Sequence, residues 1–214
     1  MNEKVVIYGM GGHAKVIADI LESEKKKVLG IVDDDPQKWG QKSREFEIMG
    51  YEEFVNAHVR EDWRVIVAIG DNRIRERVVK KIASTGYIYF DNAVHFSAIV
   101  GKNVNIGRGN VIMPGAVINC DTLIGNHAII NTQAGVDHDC EIGDFVHVSP
   151  GAQIGGGVSI GSGSWIGLGA SIINNCNIGR NVIVGMGGVV IKDIPDSWIV
   201  AGNPARFLRM NEEE

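Results

Sequence analysis

Cysteine is scarce in this chain. There are three among 214 residues, Cys120, Cys140 and Cys176, and none forms a C-x-x-C pair. They read as reduced packing residues. Basic clusters are also missing: 21 Lys and Arg stand against 26 Asp and Glu, the net charge is −5, and no basic run exceeds Lys25 to Lys27. That argues against nucleic acid as the main partner. No apolar run approaches the roughly 20 residues of a membrane span, and Met1 to Val6 lacks a signal-peptide pattern, so a cytoplasmic protein with no membrane attachment is expected. Finally, no Gly/Ser linker divides the chain. Tyr87 to Val94 bridges its two halves with ordinary residues, which suggests docked rather than tethered domains.

What is present is a repeat. From Val94, every sixth residue through Val190 is Ile or Val, seventeen in all, and the next residue is Gly in nine of them. Four residues after each aliphatic comes a mostly small residue, among them Ala116, Thr122, Ala128, Ala134, Cys140, Ala152, Ser164, Ala170 and Cys176. An α-helix cannot keep a six-residue period on one face. A β-solenoid can, because the small residue and the aliphatic two places later point to the same side of a strand. Each hexad then makes a short strand and a turn, and three hexads make one coil of a hexapeptide parallel β-helix. Residues 91–214 are assigned to it. The stretch Ile199 to Arg206 leaves the register and is expected to cover the last coil, with a frayed end at Glu212 to Glu214.

Residues 1–90 read differently. Lys4 to Tyr8 is an apolar strand ending at Gly9, and Gly9-Met10-Gly11-Gly12-His13-Ala14 fits G-x-G-x-x-G/A ahead of a helical pattern at Val16, Ile17, Ile20 and Leu21. That order sets a helix N-terminus against an anionic group such as a diphosphate. A second strand, Val28 to Val32, runs into Asp33-Asp34-Asp35, where a dinucleotide-binding fold places a ribose-reading acid. Pro36 to Phe46 reads as loop and Tyr51 to Ala57 as a short helix. Val65 to Ile69 is a buried strand, followed by Gly70-Asp71-Asn72 and a helix with Ile74, Val78, Val79 and Ile82 on one face. Gly9 to His13, Asp33, Asp34 and Gly70 to Asn72 are expected to line one crevice at the strand ends. The domain is a truncated βαβαβ unit, a size that suits a mononucleotide or nucleotide-sugar.

Within the repeat, two histidines stand out, although each could be an ordinary surface side chain. His138, between Asp137 and Asp139, falls at a corner of the prism; His147 falls at the outward centre of a strand. Asn131 is expected beside His147, about 5 Å away on the neighbouring coil, and His138 on the order of 15 Å from His147. A site using both would need two subunits side by side, as a three-fold arrangement provides.

These motifs together resemble the bacterial UDP-4-amino-sugar N-acetyltransferases and sialic acid O-acetyltransferases. The resemblance covers nearly the whole chain. It is carried by Gly9 to Ala14, Val32-Asp33-Asp34, Ala68 to Asn72, Asn131-Thr132, Asp137 to Gly143, His147-Val148-Ser149 and Gly202-Asn203-Pro204-Ala205. It implies a Rossmann-like α/β domain with a short parallel sheet, then a left-handed parallel β-helix assembled as a homotrimer. It further implies acetyl-CoA as co-substrate, no metal, and a UDP-4-amino-4,6-dideoxy sugar as acceptor, with sialic acid or GDP-perosamine as alternatives.

The resemblance makes His138 the general base, Asp139 its orienting acid in place of a more usual Glu, and Asn131 a substrate-positioning residue. His147 and the Gly156 amide would meet the thioester end, with Gly156 as oxyanion donor, and Leu168, Gly185 and Met186 would line the pantetheine path. Gly11, Gly12, His13, Asp33, Asp34, Gly70 and Asn72 would hold the nucleotide-sugar. Cys140 points inward by register and is rejected as a nucleophile. Two other classes compete: a metal enzyme like the γ-type carbonic anhydrases, drawing on His127, His138 and His147, and a non-catalytic sugar-nucleotide-binding protein.

Overall fold

The computed structural model describes residues 3–57, 62–86 and 89–212. Tyr87 and Ile88 of the bridge, and Glu213 and Glu214 of the expected frayed end, lie outside them. The chain forms two compact units, Met1–Phe96 and Ser97–Glu214.

The first unit is built on β1 (Lys4–Tyr8), which pairs in parallel with β2 (Lys27–Val32) on one side and β5 (Arg64–Val67) on the other. Val5, Val6 and Ile7 are fully buried, as a central parallel strand requires with both faces covered. The α1 helix (Gly12–Ser23) buries Ala14, Ile17, Ala18, Ile20 and Leu21. The stretch expected to be loop is more ordered than its polarity suggests. It holds a 3-10 turn at Pro36–Lys38 and a hairpin of β3 (Lys42–Ser43) with β4 (Phe46–Met49), and β4 joins β2 in parallel. Only Ile48 of β4 is buried, so the strand carries little hydrophobic signal. The helices α2 (Tyr51–Ala57) and α3 (Asn72–Ser84) complete the unit.

One expectation for α3 is corrected. Ile74 is 47% exposed, while Arg75 is buried. The Arg75 guanidinium donates to the carbonyls of Ile69 and Gly70 at 2.9 and 3.0 Å and to Asn72 Oδ1 at 2.7 Å. An Arg on the buried stripe is tolerated because its guanidinium is hydrogen-bonded to three oxygens there.

The second unit is a prism. Two-residue strands recur every six residues from Ile99–Val100 to Val189–Val190, and through Ser171–Ile172 each pairs in parallel with the strand eighteen residues on: Val117–Ile118 with Gly135–Val136, Leu123–Ile124 with Glu141–Ile142, Ile129–Ile130 with His147–Val148. Three faces result, and the aliphatics fill the axis. Ile112, Ile118, Ile130, Val148 and Val184 are fully buried, each contributing about 1.5–3 kcal/mol. The small inward slots are buried too, and their polar members are satisfied: Thr122 Oγ1 donates to Asp137 O at 2.9 Å and Ser164 Oγ to Gly179 O at 2.7 Å.

The corners obey a second period. From Asn103 to Gly187, every sixth residue has φ between 52° and 76°. This left-handed step turns the chain from one face to the next, which Gly, Asn and Asp tolerate best. Past the repeat, Trp198–Ala201 adds in parallel to Ile183–Val184, and Arg206–Met210 folds back antiparallel upon it. On this face the sheet thus ends in an exposed antiparallel strand rather than in the last coil.

Candidate active site

At the corner that follows Val136, His138 and Asp139 are consecutive residues whose side chains meet. Asp139 has a φ of 57°, and its carboxylate reaches His138 Nδ1 at 2.7 Å. An acceptor at Nδ1 places the ring proton there and leaves the Nε2 lone pair available. Asp137 braces the same residue from the other side: its Oδ1 accepts from the His138 backbone N–H at 2.8 Å and from Asn119 Nδ2 at 2.7 Å. The hydrogen bond to Asp139, then the charge of Asp137, raise the His138 pKa above the usual histidine value. The dyad is therefore more basic than a free imidazole, and both side chains are more than half exposed.

Gly156 lies one coil above His138. A Cβ on it would fall 2.8 Å from His138 Cε1 and 2.9 Å from Nε2, so the ring rests on the bare backbone. The Gly156 N–H donates to no group among the described residues, whereas Gly157 N–H is taken by His138 O at 2.9 Å. Within one chain, Gly156, expected with His147 at the thioester end, lies against the His138 ring.

His147 occupies a different face. Its lateral neighbours are Ile129 and Trp165, and the Trp165 indole stacks on the imidazole at 5.9 Å and 10°. Asn131 is not stacked on it but reaches diagonally, with Nδ2 3.0 Å from His147 Nε2. Because Asn131 Oδ1 accepts the Thr132 N–H at 2.8 Å, the amide turns its donor to the ring, and Nε2 acts as acceptor. Trp165 Nε1 donates to Ser149 Oγ at 2.7 Å. On the corner after this face, Leu168 and Met186 are 58% and 79% exposed, one coil apart, while Gly185 packs under Ala201.

The structure thus brings Asn131 to His147, and Asp139 and Gly156 to His138, but the two groups sit on different sides of one prism. Among the described residues, no three His, Cys, Asp or Glu side chains gather as a metal site would require. Cys140 is fully buried, with Sγ 3.2 Å from Gly155 O, and burial raises its thiol pKa.

The first unit holds a cavity of about 510 Å³ at the ends of β1, β2 and β5, lined by Gly9 to His13, Asp33 to Asp35, Lys38, Ala68 to Gly70 and Ile74, among others. No side chain caps α1 there, and a Cβ on Gly11, Gly12 or Gly70 would meet nothing within 4 Å. Burial, aided by the Arg75 charge, pushes the His13 pKa down to about 4. His13 Nε2 has no hydrogen-bond partner among the described residues.

The two acids are engaged with the protein. Asp33 accepts from Met10 N–H at 2.7 Å, Asp35 N–H at 3.0 Å and Lys38 Nζ at 3.0 Å. Burial alone would raise its pKa, but these donors together hold it below the usual carboxylate range. Asp34 Oδ1 accepts from Tyr8 Oη at 2.6 Å and Lys81 Nζ at 2.7 Å. Asn72 is not on the cavity wall but turned to Arg75. Sequence reasoning did not find Tyr8, Lys38, Lys81 or Arg75. Trp165 was legible in principle, eighteen residues after His147.

Comparison with known proteins adds to this geometry. Residues 4–82 match the family described as the PglD N-terminal domain. The chain is 40% identical over 113 residues to a Bacillus subtilis protein named UDP-N-acetylbacillosamine N-acetyltransferase, a match covering 52% of this chain and 51% of that one. The chain thus spans about half the length of that curated relative. A mutant of perosamine N-acetyltransferase from Caulobacter crescentus, solved with CoA and GDP-perosamine, superimposes with a TM-score of 0.89 at 40% identity, covering 96% of this chain and 97% of that one. The acetyltransferase domain of PglB from Neisseria gonorrhoeae, solved with acetyl coenzyme A, gives 0.88 at 36%, covering 97% and 100%.

Proposed function

The chain belongs to the family of sugar-nucleotide N-acetyltransferases that join a PglD-type N-terminal domain to a hexapeptide-repeat β-helix, and from that premise we propose that it transfers acetyl from acetyl-CoA to the 4-amino group of a UDP-4-amino-4,6-dideoxy sugar. The observation that carries the reading is the His138–Asp139 pair lying over the open backbone of Gly156.

Asp139 holds the Nδ1 proton, and His138 Nε2 accepts a proton from the sugar amine as its nitrogen attacks the thioester carbonyl. The Gly156 N–H faces the negative charge that develops on the carbonyl oxygen. The amide C–N bond forms, the C–S bond breaks, and the His138 imidazolium returns its proton to the departing thiolate. No acyl-enzyme is needed, since the thioester is already activated and the protein supplies position, a base and an oxyanion donor. Exposed Leu168 and Met186 suit the apolar stretches of the pantetheine arm. The cavity beside α1, with an uncapped helix N-terminus and room over Gly11 and Gly12, suits the diphosphate of the nucleotide-sugar.

One prism does not bring His138 to Asn131 and His147. A homotrimer of parallel prisms would, with the base from one copy and the His147 face from the next. The expected setting is the cytoplasm, where acetyl-CoA is available; no described helix is long and apolar enough to cross a membrane.

The test is thiol release from acetyl-CoA against UDP-4-amino-4,6-dideoxy-N-acetylglucosamine, GDP-perosamine and free sialic acid. Turnover with the UDP-amino sugar that falls about 10²–10⁴-fold in His138→Ala is the expected result. Faster turnover with GDP-perosamine would reassign the nucleotide, and turnover only with sialic acid would overturn the N-acetylation.

A further inference from the structure

Three glycines of the first unit are not required by its own packing. Gly11, Gly12 and Gly70 lack the left-handed backbone that favours glycine, and a Cβ on any of them would meet no atom within 4 Å. All three line the cavity at the ends of β1, β2 and β5, so their bare backbone leaves room for a ligand to approach. Gly11 and Gly12 open α1, where the first N–H groups of the helix point outward. Gly70 belongs to the turn after β5. The two turns are neighbours, since a Cβ on Gly9 would lie 3.0 Å from Ile69 Cγ1. The N-terminus of α3 offers no second helix end, because Asp71 caps it by accepting the Ile74 N–H at 2.9 Å.

The Gly70 wall is shaped from behind by Arg75. Its guanidinium is 1% exposed and donates to the Ile69 and Gly70 carbonyls at 2.9 and 3.0 Å, while Asn72 Oδ1 fixes it at 2.7 Å. A trans peptide carries its C=O and N–H on opposite sides. With both carbonyls drawn inward to Arg75, the turn shows its N–H edge to the cavity; released, the same oxygens could face an anion there and repel it. The neighbouring cations are ion-paired, Lys38 with Asp33 and Lys81 with Asp34, whereas these three Arg75 bonds go to uncharged oxygens. Its charge is felt inside the cavity: burial, aided by Arg75, keeps His13 neutral at pH 7. Resting on the nucleotide-sugar reading above, we infer that Arg75 is a positioning residue for the diphosphate, which it never touches: it sets the Ile69–Gly70 turn to receive an anion beside α1 and holds a positive charge behind that turn.

Calorimetric binding of UDP and of uridine, which lacks the phosphates, to the full chain tests this. Arg75→Met is expected to weaken UDP about tenfold and uridine less than twofold. Arg75→Lys, which keeps the charge and loses the fork, should weaken UDP several-fold and carries the test if Arg75→Met does not fold. Gly70→Ala, for which the protein has room, should keep the wild-type thermal midpoint and also weaken UDP several-fold. In turnover, the Arg75 variants should raise KM for the nucleotide-sugar and leave KM for acetyl-CoA unchanged. Wild-type UDP affinity in the folded Arg75 variants, or an equal loss of UDP and uridine, would overturn the inference and leave the nucleotide-sugar reading standing. Wild-type protein that binds neither UDP nor GDP would overturn both; if it binds GDP alone, the same comparison runs with GDP and guanosine.

Discussion

His138 and Asp139 are adjacent in sequence, and adjacent side chains in an extended strand point to opposite faces. They meet only because Asp139 is a left-handed corner residue, which swings its carboxylate back to the imidazole. The shorter acid therefore contacts Nδ1 directly, at 2.7 Å. Its hydrogen bond, more than its charge, raises the His138 pKa, so the base is mostly neutral, and active, only above that raised value. Activity should rise with pH through it. Replacing Asp139 with Asn removes the largest cause of the shift, so the acid limb of the pH–kcat/KM profile should move to lower pH while the plateau drops on the order of tenfold. A limb that stays in place would exclude Asp139 from tuning the base. The Asp137 carboxylate, itself held by Asn119 Nδ2, accepts from the backbone N–H of the same residue, a contact that the pattern Asp-His-Asp did not reveal.

At the scale of elements, the turn between β5 and α3 shows how a polar side chain can replace a hydrophobic one on a buried face. Helical spacing favoured Ile74, and the structure buries Arg75, whose guanidinium reaches the carbonyls of both Ile69 and Gly70 at the turn. Burial lowers the Arg75 pKa to about 10, which still leaves it charged at neutral pH. Arg75→Met should cost on the order of 2 kcal/mol by removing the charged donor from three part-buried acceptors, seen as a lower midpoint in thermal unfolding; an unchanged midpoint would show that the turn finds other donors. In the prism, the elements follow the repeat so closely that Gly156 could have been placed one coil above His138 by adding eighteen to its number.

For the whole molecule, the separation of the His138 and His147 groups bears on assembly. On the proposed trimer, mixing His138→Ala with His147→Ala chains should restore activity that neither has alone, to about a quarter of wild type if copies assort at random, because one interface in four then pairs an intact His138 with an intact His147. Co-expressed variants that stay as inactive as their parents would place both residues' functions within single chains.

The sequence by itself determined the prism, its register and its inward residues, because a six-residue period under strand alternation has one economical solution and each aliphatic repeats the same instruction. It also determined where the Gly-rich turn and the acids after β2 fall, since strand, glycine and helix follow in an order with a known geometry. Only the tertiary structure decided what those acids do. Asp33 is bound by Met10 and Lys38, and Asp34 by Tyr8 and Lys81, through contacts spanning from 5 to 47 residues that have no period to betray them. The same holds for Trp165 on His147 and for the short β4 strand. A repeat is written many times along the chain and can be read from it, whereas a single ion pair or ring stack is written once, in the distance between two side chains that only folding sets.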